Sequence, residues 1–164
     1  MFGLSVKDKV REAIIKATNV ILVGSFFHHS TAKQSGLNDS ATAYLYSEAQ
    51  VHQMAVLIMV FMGTVGKRNS WATLQFLYDG LVTAFAKWEK QNNLPSGQLN
   101  SFFTPHCAEI LKIPPDLRSN GQHFRESAAQ VKKLDPKADE KVVVKQLADC
   151  SQEYYAWAMN VFEC

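Results

Sequence analysis

Between Met54 and Val65 the chain reads "MAVLIMVFMGTV", an apolar run interrupted only by Gly63 and Thr64. A helix built on it has no polar side to turn to water and must be covered all round. The run is well short of the roughly 20 apolar residues that carry a helix across a bilayer. The expectation is therefore a central core helix, with a membrane disfavoured as a partner, and the rest of the chain has to supply the helices that surround it.

Helical signals recur along the whole sequence. Ser5 followed by Asp8 is an acidic variant of a helix start, after which Val10, Ile14, Ala17 and Ile21 repeat at helical spacing. This predicts a first helix from about Val6 to about Ala32. "KQSGLNDS" breaks it, with Asn38, Asp39 or Ser40 placed to cap a second helix from about Ala41 to about Met62. After "GTVGKRNS", Ser70 is the expected cap of a third helix, on which Trp71, Leu74, Leu77 or Tyr78, Leu81 and Phe85 form an apolar stripe. "NNLPSGQLNS" is the most loop-like stretch. Thr104 and Pro105 then predict a short helix from Pro105 to about Lys112. "SNGQHFRESAAQVKKL" reads as a fifth helix. Asp135 and Pro136 start a last one, with Val143, Leu147, Cys150, Tyr154, Trp157 and Val161 on one face. No segment alternates with the period of a strand between turn residues. The fold class expected is all-α, a single-domain helical bundle of about five to six helices around a strongly apolar second helix. It spans residues 1–164, with a sub-division admissible only at the loop 93–101.

Composition serves to exclude. With 164 residues, 47% hydrophobic and a net charge of +2, the chain is globular and lacks the concentrated basic face of a nucleic-acid binder, so nucleic acid is excluded as a partner. Its three cysteines, Cys107, Cys150 and Cys164, form neither a disulfide framework nor a zinc knuckle, and the N-terminus mixes charge into its apolar positions, unlike a secretory signal. Both point to the cytoplasm.

The chemistry-bearing candidates begin just ahead of the apolar run. At about 100° per residue, Thr42, Tyr46, Gln50 and Gln53 fall on one side of the second helix, and Glu48 and His52 fall nearly opposite, among Ala41, Leu45, Ala55, Val56 and Met59. If the two glutamines face water, the pair faces the core. His28 continues the spacing by sevens from Ile14 and Ile21, and a hairpin turning near Leu37 would bring it level with Glu48. His28, Glu48 and His52 are thus the expected metal set, two imidazoles and a carboxylate. The opposing reading is a buried polar contact satisfied within the core. The spacing differs from the Glu-x-x-His of di-iron bundles. Two further pairs, His106 with Glu109 and His123 with Glu126, each share a helix face. Cys107, at the start of the expected short helix, is a candidate reactive thiol. "GTVGKRNS" lacks the spacing of a phosphate loop, and the sequence identifies no cofactor.

Adjacent aromatics, Phe26 with Phe27, Phe102 with Phe103 and Tyr154 with Tyr155, cannot both enter one core from one helix and are compatible with an interface. Two functions follow as expectations. The first is a small interaction or regulatory module that binds a protein partner or forms a homo-oligomer. It is favoured by the lack of a strong catalytic signature, which argues against an enzyme. The alternative is a helical bundle that holds a metal or small ligand between helices through His28, Glu48 and His52, the form a metalloenzyme would take.

Overall fold

The computed structural model describes residues 3–27, 36–113 and 121–163. It is an all-α bundle of six helices and one helical turn, with no strand among the described residues: α1 Val6–Leu22, α2 Asp39–Gly63, the turn α3 Val65–Arg68, α4 Leu74–Gln91, α5 Gln98–Lys112, α6 Gln122–Leu134 and α7 Glu140–Phe162. Every other element packs on α2. Within the apolar run Met54, Ala55, Leu57, Ile58, Val60 and Phe61 are buried, whereas Met59 and Met62 are exposed, so the helix is covered over most of its surface but not all round. By length and composition the stretch Asp39–Arg68 would suffice to cross a membrane, longer than the apolar run alone suggests, but 72% of its most apolar window is buried inside the protein.

Two core clusters lie along this axis. The N-terminal half of α2, through Ala41, Leu45 and Ala49, packs with Val131 of α6 and with Val143 and Leu147 of α7. The C-terminal half, through Met54, Leu57 and Phe61, packs with Ile14, Leu81, Tyr154 and Phe162. Because the first halves of α2 and α7 share one cluster and their second halves the other, the two helices run side by side in the same direction. A fully buried side chain such as Phe61 adds roughly 1.5–3 kcal/mol of burial free energy. Tyr154, also fully buried, donates its hydroxyl proton to the Ala17 carbonyl at 3.0 Å, which removes the penalty of enclosing it.

Several boundaries differ from expectation, each for a local reason. α1 ends at Leu22 rather than near Ala32, because Gly24 takes a left-handed conformation (φ +72°) just past the cap. A Cβ there would sit 2.8 Å from the Tyr46 hydroxyl oxygen, so both backbone and space favour glycine. Asn38 caps α2 as expected, accepting from the Ala41 N–H at 2.9 Å. Thr73, not Ser70, caps α4, and Asp139, not Asp135, caps α7. Asp135 instead accepts from the backbone N–H groups of Asn38 and Lys137, tying the start of α2 to the end of α6. Leu74, expected on the apolar stripe, is exposed, while Leu77, Leu81 and Phe85 are buried.

The largest departure is α5, which begins at Gln98 and carries Pro105 in its interior. An interior proline costs about 3 kcal/mol. Phe103 and Cys107, one turn apart astride it, are both buried and hold the helix against α2 and α4. The start of α5 has no side-chain cap of its own. Glu89 of α4, itself buried, accepts from the N–H groups of Gly97 at 3.2 Å and Leu99 at 3.0 Å and serves as a cap from another helix.

Candidate functional site

Four-residue spacing sets Tyr44, Glu48 and His52 one above another on a single face of α2. That face floors an open groove of about 710 Å³ flanked by α5 and α6. His106 and Glu109 line it from α5, and His123, Glu126 and Ser127 line it from α6. Three pairs read separately in the sequence therefore meet around one space, within the roughly 300–1,000 Å³ usual for small-molecule sites.

The innermost group is His52, 2% exposed. Its Nε2 lies 3.1 Å from the Ser127 hydroxyl, which is also 3.3 Å from Glu48 Oε2 and 3.1 Å from the His123 carbonyl. Glu48 is 17% exposed, with Oε2 3.7 Å from His52 Nε2. That approach does not make an ion pair, because burial, reinforced by the nearby His123, pushes the His52 pKa down to about 3 and leaves the ring neutral at ordinary pH. The rings of His123 and Phe124 stand edge-on to it at 5.0 and 5.1 Å between centroids. His52 Nδ1 is buried with no hydrogen-bond partner. Tyr44, part-buried and hydrogen-bonded to Glu48, has its pKa raised, first by burial and then by that carboxylate, so it keeps its proton.

Nearer the rim the groups are paired. Lys112 Nζ meets Glu109 at 2.8 Å, and Gln122 donates to Glu126 at 3.0 Å. His106 Nδ1 lies 2.6 Å from the Phe102 carbonyl, and since a carbonyl only accepts, Nδ1 carries a proton.

The expected metal set fares unevenly. Glu48 and His52 do come together, whereas His28 lies outside the described residues. Among the described residues no three of His, Cys, Asp or Glu are arranged to hold a metal ion. Glu48 and His52 do not face inward because the opposite side of α2 faces water. Gln53, assigned to the water side, is buried beside the Cys150 thiol, because α7 covers that face as well. Cys107 is not at a helix start but nine residues into α5, buried, with its thiol pKa raised by burial to about 12, the opposite of a reactive thiol. Cys150 is core, as expected, and Cys164 lies outside the described residues. Sequence reasoning missed Tyr44, Ser127 and Lys112. Tyr44 was within reach by its four-residue spacing to Glu48, and Ser127 by its place beside Ala128 on the apolar side of α6.

Compared with known proteins, the chain matches no family model, no curated protein and no solved structure. The reading of the cavity rests on its own residues.

Proposed function

We propose that this protein binds a small polar ligand between its helices, in the cavity bounded by α2, α5 and α6, with Glu48, His52 and Ser127 at its inner wall. The observation that supports this most is the convergence of three His/Glu pairs from three helices on one space of about 710 Å³. Glu48, His52 and Ser127 lie at its floor, and His106, Glu109 and Glu126 stand exposed along its rim, where a ligand entering from solvent would meet them first.

A protein partner or second copy has less support. The exposed large apolar side chains, among them Met59, Met62, Val82 and the half-exposed Tyr155, are distributed over several helices, and single exposed apolar residues do not require a partner. The two readings separate by experiment. Titration of an isotope-labelled sample with a library of small polar fragments should move the amide resonances of Glu48, His52, His106 and Ser127 together, at a molecular mass independent of protein concentration. Binders that move only resonances outside these three helices, or a mass that rises with concentration while the cavity stays silent, would replace this proposal with the interaction reading.

A further inference from the structure

We draw no further inference here: the strongest candidate, the largely apolar groove lined by Tyr46, Gln50, Trp88, Leu99 and Phe102 where α2, α4 and α5 meet, carries nothing, because no feature of the structure shows what covers it.

Discussion

His52 makes the stability of this protein depend on pH in a way that can be calculated. In the unfolded chain its imidazole titrates near 6.5, whereas in the folded bundle burial and His123 hold the pKa near 3. Above pH 6.5 neither state binds the proton and the term is flat. As pH falls through 6.5 the unfolded state takes up a proton that the folded state refuses, so stability is lost progressively until the folded pKa is reached. At about 1.4 kcal/mol per pH unit, the loss between pH 7 and pH 5 is about 2 kcal/mol from this one residue. Other carboxylates and histidines also titrate over this range, so the comparison needed is with His52→Gln, whose amide can still donate to Ser127 but cannot be protonated. Urea unfolding of both proteins at a series of pH values should give curves that diverge below pH 6.5, the parent losing about 2 kcal/mol more by pH 5. The reasoning fails if the two lose stability in parallel. It fails also if the parent gains stability relative to the variant on acidification, which is the signature of a His52 cation paired with Glu48.

Three further predictions concern the frame that holds the site. A Cβ on Gly80 of α4 would come within 2.6 Å of Ile14 Cγ2, so Gly80→Ala should cost roughly 1–3 kcal/mol by overpacking, with a smaller penalty in the Ile14→Ala background, which lacks that Cγ2, read by thermal melts. Glu89→Ala should cost roughly 1–3 kcal/mol by stripping the N–H groups of Gly97 and Leu99 of their acceptor, and hydrogen exchange should speed up at the start of α5 before anywhere else. Cys107 and Cys150, buried with pKa values raised to about 12 and 11, should resist a thiol-specific alkylating reagent in the folded protein and react fully in denaturant, with the sites assigned by peptide mass mapping.

The local sequence carried the helical character of the chain, its apolar stripes and the central place of the second helix. Each of these is a property of one segment, since the angle between Leu77 and Leu81, or between Glu48 and His52, is set by helix geometry alone. That Glu48 and His52 share one face was legible in the same way, but not which way that face turns, since Gln53 on the opposite side is buried as well. Wherever the outcome depended on a second element, the sequence was silent. Asp135 looks like a helix cap until the start of α2 is seen to claim its carboxylate. Gln53 looks solvent-facing until α7 covers it. Pro105 looks like a helix start until the burial of Phe103 and Cys107 outweighs its cost. The cavity itself was invisible in the same sense. His106 with Glu109 and His123 with Glu126 are ordinary one-turn pairs on their own helices, and only the packing of α5 and α6 beside α2 brings them around the space that Glu48 and His52 border. Periodicity fixes which way a side chain points from its own axis. The crossing of one helix over another depends on the fit of side chains distant in sequence, and that was settled only in the assembled bundle.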